Sequence, residues 1–195
     1  MNRYDEAAES YRRGLEILRL LKERNQLGLG DEKWIGVGEL VVKKYTHAAV
    51  ALGAWETLLE QPAELLPLLL DLRGTQFAQE GRFAEAMQAA DTLRELHGVP
   101  VWPLYNAACV YCLCAEAIPV DDSNPTSEKT TARERYIAIA FAILRESFDN
   151  GWDEIAHLQQ DPELTVLKDR PEFQIIVDEL KVRVKAADRD LHRTK

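Results

Sequence analysis

A chain of 195 residues, 46% hydrophobic and 29% charged, is long enough to bury a sizeable core and lies far from the composition of disordered sequences. Its formal net charge of −9 argues against a nucleic-acid groove, whose affinity rests on Lys and Arg neutralising phosphates; outside the locally basic tail KVRVKAADRDLHRTK no basic stripe is visible. No window of about 18 uncharged apolar residues occurs, so no membrane-spanning helix is expected.

Residues 4–24 read as one helix, with Tyr4, Ala7, Tyr11, Gly14, Leu18 and Leu21 recurring every three or four positions. The opening MNRYDEAAESYRRG is polar and lacks the apolar stretch of a secretory signal, which makes a cytoplasmic location the default expectation. NQLGLGDEK, residues 25–33, is a Gly-rich loop with an Asp placed to cap the next helix. From Trp34 to Trp55 the spacing predicts a helix, unusual for Gly36, Gly38 and Gly53 among Val and Ala; each glycine weakens a helix by roughly 1 kcal/mol and allows close backbone approach.

Pro62 and Pro67 stand at helix starts, where the missing N–H would be unpaired in any case. A hairpin of helices over 67–80 and 82–97 follows, ending at the stop signal of His97, Gly98 and Pro100. The next helix, 101–116, carries two apolar stripes: Leu104, Ala108, Tyr111 and Ala115, and Tyr105, Cys109 and Cys112. A helix apolar on two sides is expected to be sandwiched between neighbours.

The insertion at 117–132 is rich in Pro, Ser, Thr, Asp and Asn and reads as a solvated surface loop, with Ser123, Thr126 and Ser127 as candidate phosphoacceptors. YIAIAFAIL, within 133–149, is apolar nearly all round and so expected to be buried, with Asn150 and Gly151 closing the helix. Asp161-Pro162 and Arg170-Pro171 mark two further helix starts, and the last helix, through Phe173, Ile176, Leu180 and Val184, reads as a C-terminal cap over 152–195.

Two of these units share a spacing. Gly74 then Phe77, with Ala86, Ala90 and Leu93 on the second helix, is repeated by Ala108 then Tyr111, with Ala140, Leu144 and Ser147 after the insertion. Gly74 and Ala108 stand 34 residues apart, the period of tetratricopeptide (TPR) repeats, and small residues beside aromatics are what closely crossing helices need. The fold expected is all-α: a TPR-like solenoid of stacked antiparallel hairpins forming a single repeat domain over 1–195, because each hairpin has more apolar surface than it buries alone. Its central hairpins lie at 34–97, followed by the repeat at 101–149.

Ala7, Tyr11 and Gly14 resemble the second helix of such a hairpin, with no first helix before them. The segment 1–30 therefore reads as a partial repeat and the chain as the later part of something longer. A truncated repeat exposes an apolar face, which favours a homodimer or a missing domain.

Sequence chemistry points away from catalysis. CVYC places Cys109 and Cys112 mid-helix on an apolar stripe, whereas a redox pair works at a helix N-terminus; His47, His97, His157 and His192 show no zinc-like spacing, so packing is the expected role of all three cysteines, Cys114 included, and no metal or cofactor is expected. IGVGELVVKK lacks the third glycine of a kinase loop, with Val41 in its place, and no catalytic H-R-D or D-F-G occurs downstream. Phosphate-binding loops, nucleophile elbows and H-E-x-x-H are absent too. The chain is expected not to be an enzyme.

What remains is a groove lined by first helices, with Asp71, Thr75 and Gln79 on one and Trp102, Tyr105, Asn106 and Cys109 on the next, suited to a protein or peptide partner. An Asn in such a groove can pair with a peptide backbone. Asn106 matches the middle Asn of the carboxylate clamp in chaperone-binding TPR domains, but Asp71 and Thr75 occupy clamp slots that call for Lys and Asn, and WDEIAHL lacks the basic residues of the third helix. That clamp is not expected.

LYNAACVY, together with HLQQDPELTVLKDRPEF, resembles the C-terminal TPR region of large planctomycete serine/threonine protein kinases over nearly the whole length, and YRRGLEI is similar to their preceding repeats. The resemblance implies a docking or regulatory region of a bacterial signalling kinase, without its catalytic domain.

Overall fold

The computed structural model describes residues 3–28, 30–96, 101–119 and 127–193, with 186–193 described by backbone alone. The stop signal at His97, Gly98 and Pro100 and the candidate phosphoacceptors Ser123 and Thr126 lie outside the described residues. Every regular element among the described residues is helical, and helices pack against their neighbours in sequence. The chain divides into two compact units, Met1–Arg73 and Gly74–Lys195, with the division inside one helix.

In the first unit α1 (Arg3–Glu23) packs on α2 (Lys33–Thr46). Arg12 reaches Thr46, Arg19 reaches Glu39 and Lys22 reaches Glu32, so the two run antiparallel. The buried face of α1 turns one residue from the expected stripe: Ala8 and Leu15 are buried while Tyr11 and Gly14 are exposed. Leu15 decides this, because its Cδ2 occupies the space where a Cβ on Gly38 would lie, at 2.7 Å.

The helix expected from Trp34 to Trp55 is broken. Beyond α2 come α3 (Ala48–Ala51) and α4 (Trp55–Leu59), with His47 between the first two at φ −101° and ψ 16° and Ala54 extended before the third. The His47 ring nitrogen Nδ1 sits 2.8 Å from the Lys43 carbonyl oxygen, a local bond that competes with continuing the helix. Ile17 and Leu20 on α1 and Trp34, Val37 and Leu40 on α2 are exposed.

Helix α5 (Leu66–Gln79) opens with Pro67 in its first turn, as its missing N–H allows. Arg73, 5% exposed, closes the first unit by donating from Nη1 to the carbonyls of Ala51 and Gly53, each at 2.8 Å, and lies over the Trp55 ring. These carbonyls end a short helix and have no intrahelical partner, so a buried guanidinium serves as their cap.

The second unit is built on α6 (Phe83–Glu95), α7 (Trp102–Glu116) and α8 (Glu128–Asp149). Helix α7 packs against both α6 and α8 and carries the centre of the core. Of its two predicted stripes, Tyr105, Ala108, Cys109, Tyr111, Cys112 and Ala115 are buried, while Leu104 is half-buried. The small residues at the repeated spacing, Ala86, Ala90, Ala108 and Ala140, have no exposed surface. Gly74 is the tightest of these positions, since a Cβ there would meet Val110 Cγ2 at 2.7 Å.

Helix α8 begins five residues before 133, because Ser127 acts as N-cap and accepts the Thr130 N–H at 3.2 Å. The chain finishes with α9 (Ile155–Gln160), a 3-10 turn (Pro162–Leu164), α10 (Thr165–Lys168) and α11 (Pro171–Arg193). Phe173, Ile176 and Leu180 of α11 are buried, as its apolar spacing predicts; Val177 is buried with them and Val184 is half-buried. No helix among the described residues is long and apolar enough to cross a membrane.

Candidate functional site

The polar chemistry of the second unit converges on one carboxylate. Helix α8 ends at Asn150 and Gly151, and Gly151 adopts φ +99°, a left-handed conformation that glycine enters without a Cβ penalty. The N–H of Gly151 then bonds the Phe148 carbonyl and the N–H of Trp152 the Ser147 carbonyl, each at 3.0 Å. That double closure turns the chain back and lays the Trp152 ring flat on Tyr105 of α7, with centroids 4.4 Å apart and planes 7° from parallel.

Three residues beyond Trp152, α9 carries His157 one turn before Asp161. Asp161 is 8% exposed. Its Oδ1 accepts the Glu163 N–H at 2.9 Å and so caps the 3-10 turn, while Pro162 needs no partner there. Its Oδ2 accepts the Tyr105 hydroxyl at 2.8 Å and the Cys109 thiol at 3.8 Å, and His157 Nε2 lies 3.3 Å from the same oxygen. The imidazole is 54% exposed and forms the solvent side of the cluster.

Burial, then the charges of Cys109 and Asp161, push the Tyr105 hydroxyl well above the usual phenol range. It stays protonated and donates. Cys112 is raised in the same way, by burial first and then by Asp161, and burial pushes Cys114 up to about 12. Neither of these two thiols is a nucleophile at neutral pH, since the thiolate is the reactive form.

The seven sequence-predicted groove residues divide into two groups. Asp71 is buried and paired with Lys44, and Tyr105 and Cys109 are buried against Asp161. Thr75, Trp102 and Asn106 are half-buried and Gln79 is exposed, each a helical turn from its companion on α5 or α7. Of the seven, Tyr105 and Cys109 meet on one acceptor.

The sequence reading missed His157, Asp161, Glu163 and Trp152. Separations of 56 residues for Tyr105 to Asp161 and 52 for Cys109 to Asp161 hide them from any spacing rule. One signal did exist: LYNAACVY and HLQQDPEL, the strings that carry the kinase-region resemblance, are the two segments that meet here.

No protein-family model matches this chain. No curated protein and no solved structure matches it either.

Proposed function

We propose that the chain is a TPR-like interaction module that binds an extended peptide segment of a protein partner along its first helices, and is not a catalyst. The observation that supports this reading is the close approach of Gly74 on α5 to Val110 on α7, the two helices that carry the 34-residue spacing of Gly74 and Ala108. Trp102 and Asn106 on α7 and Thr75 and Gln79 on α5 are the contact residues in this reading, because they keep accessible surface. Asp71, Tyr105 and Cys109 support the helices from inside.

The test is selection of peptides from a displayed library on the wild-type chain, followed by affinity measurement on a Gln79→Ala, Asn106→Ala variant of unchanged helicity. The reading expects the selected peptides to lose at least about tenfold in affinity, as loss of one or two central contacts does. Equal affinity for both chains would overturn it.

A more specific form of the same reading rests on the resemblance of LYNAACVY and HLQQDPEL to the C-terminal region of planctomycete kinases: the module docks partners for a bacterial serine/threonine kinase. Exposed Ile17, Leu20, Trp34 and Val37 favour a second copy of the chain on α1 and α2. Sedimentation equilibrium of the wild type beside an Ile17→Glu, Trp34→Glu variant tests this, and a monomeric wild type rules it out.

A further inference from the structure

We propose that Cys109, Asp161 and Glu163 form a binding site for a divalent transition metal of the zinc class, with His157 beside Asp161 at its solvent side. The thiol of Cys109 and the carboxylates of Asp161 and Glu163 present ligand atoms that all lie within 4.8 Å of one another. His157 Nε2 adds an imidazole 3.3 Å from Asp161 Oδ2. A tetrahedral ion with bonds of about 2.0 Å to oxygen and about 2.3 Å to sulfur has S–O edges near 3.5 Å. Cys109 Sγ lies 3.8 Å from Asp161 Oδ2, so a shift of a few tenths of an ångström brings the pair to that edge.

The hydrogen bonding of the cluster points the same way. One carboxylate oxygen offers two lone pairs, yet Tyr105, Cys109 and His157 all converge on Asp161 Oδ2. Only the Tyr105 contact, at 2.8 Å, has the length of a strong bond. A cation seated between Asp161, Cys109 and Glu163 needs one lone pair of that oxygen and engages the thiol, leaving the other for Tyr105. Tyr105 is then the outer partner that orients a metal-binding carboxylate, and the Glu163 N–H on Oδ1 fixes its other end.

The donor set selects the ion. A thiolate beside two carboxylates suits zinc or cobalt(II), whereas magnesium and calcium take oxygen donors alone. On binding, the Cys109 S–H gives its proton to solvent as the sulfur–metal bond forms, so one proton is released per ion. The exposed imidazole of His157 provides the route of entry. The site is independent of the peptide-binding reading.

Cobalt(II) titration of the reduced, chelator-treated chain, prepared without a histidine tag and kept under inert gas, tests the proposal. A thiolate-to-cobalt charge-transfer band with tetrahedral d–d intensity is expected to saturate at one ion per chain and to be displaced by zinc. Cys109→Ser should abolish the band and Cys112→Ala should keep it. Because Cys109 is buried, the more accessible variants His157→Ala and Glu163→Gln provide the second arm: with helicity unchanged, each should weaken cobalt affinity by about tenfold or more. The absence of a band from the folded wild type, its persistence in folded Cys109→Ser, or unchanged affinity in His157→Ala and Glu163→Gln would each overturn the assignment.

Discussion

The Tyr105 hydroxyl donates to Asp161 at 2.8 Å and thereby ties the middle of the second unit's core to a turn 56 residues later in the chain. The acceptor is a buried carboxylate that also caps the turn, so its two oxygens perform separate tasks. Tyr105→Phe keeps the ring on Trp152 and removes only this bond. A hydrogen bond to a charged group contributes about 1.5–3 kcal/mol, and urea denaturation is expected to show a loss of that size. Asp161→Ala removes the cap as well and should cost more. In the double variant the loss of Tyr105 OH should add little to that of Asp161→Ala, since the bond is already gone. Simple addition of the two losses would show that the contact contributes nothing.

Gly74 offers a test whose sign runs against local propensity. In an exposed helix Gly→Ala stabilises by about 1 kcal/mol, but here the added Cβ meets Val110 Cγ2 at 2.7 Å. Overpacking of this kind costs about 1–3 kcal/mol, so Gly74→Ala is expected to destabilise. Pairing it with Val110→Ala removes the overlap, and the double variant should be more stable than the sum of the two single losses predicts. Stabilisation by Gly74→Ala alone would show that α5 and α7 separate there without penalty.

How far the sequence carried the reading depended on the range of the interactions concerned. Helices α5, α6 and α7 follow from periodicity, helped at the start of α5 by Pro67, all of it local, and their bounds fall within two residues of those expected. Helix α8 began early because Ser127 is a cap inside what reads as a loop. The break falls at His47, whose ring nitrogen shares the Lys43 carbonyl with its own N–H, and no propensity scale contains such a bond. The rotated face of α1 depends on which residue finds space against Gly38, and that is settled only when α2 is in place. Tyr105 and Cys109 were identified as a pair by their shared helix face; their acceptor lies across the fold, and so the same spacing reads equally well as groove.

The three cysteines supply a prediction about reactivity. All are buried, and burial holds Cys112 and Cys114 in the thiol form. A thiol-specific reagent at neutral pH should label Cys112 and Cys114 only as the second unit opens, with rates that rise in parallel with unfolding as urea is added. Peptide mapping after brief labelling checks this. Fast labelling of either residue in native buffer would mean that α7 is open to solvent on that side.

Arg73 is the buried cation of the first unit, and its two carbonyl acceptors make its shape as important as its charge. A lysine has one ammonium in place of the planar fork and does not lie flat over Trp55 as a guanidinium does. Arg73→Lys is therefore expected to lose about 1–3 kcal/mol despite conserving charge, with the buried carbonyl of Ala51 and the part-buried one of Gly53 less well satisfied. Thermal unfolding of the variant read by Trp55 fluorescence in a background lacking the other tryptophans checks this, and a change below about 0.5 kcal/mol would show that water replaces the guanidinium.

Glu134 and Arg170 give the chain a defined acid response. Both guanidinium nitrogens Nη1 and Nη2 donate to the carboxylate at 2.7 Å, joining α8 to the residue before α11. The Arg170 hydrogen bonds hold the Glu134 carboxyl below its usual value of 4.5, against a smaller opposing effect of burial. Because the folded value is the lower one, the stabilisation is complete above the unfolded value and is lost as pH falls through the folded one. The pair is near the surface, so it contributes on the order of 0.2–1 kcal/mol. Glu134→Gln should be less stable than wild type by that amount at pH 7. The difference should stay constant at higher pH and shrink as pH falls below the unfolded value and through the lower folded one, where the wild-type carboxylate takes up its proton. Urea titrations of both chains across this range measure the difference directly; a gap that persists unchanged in acid would assign the effect to lost packing and not to the ion pair.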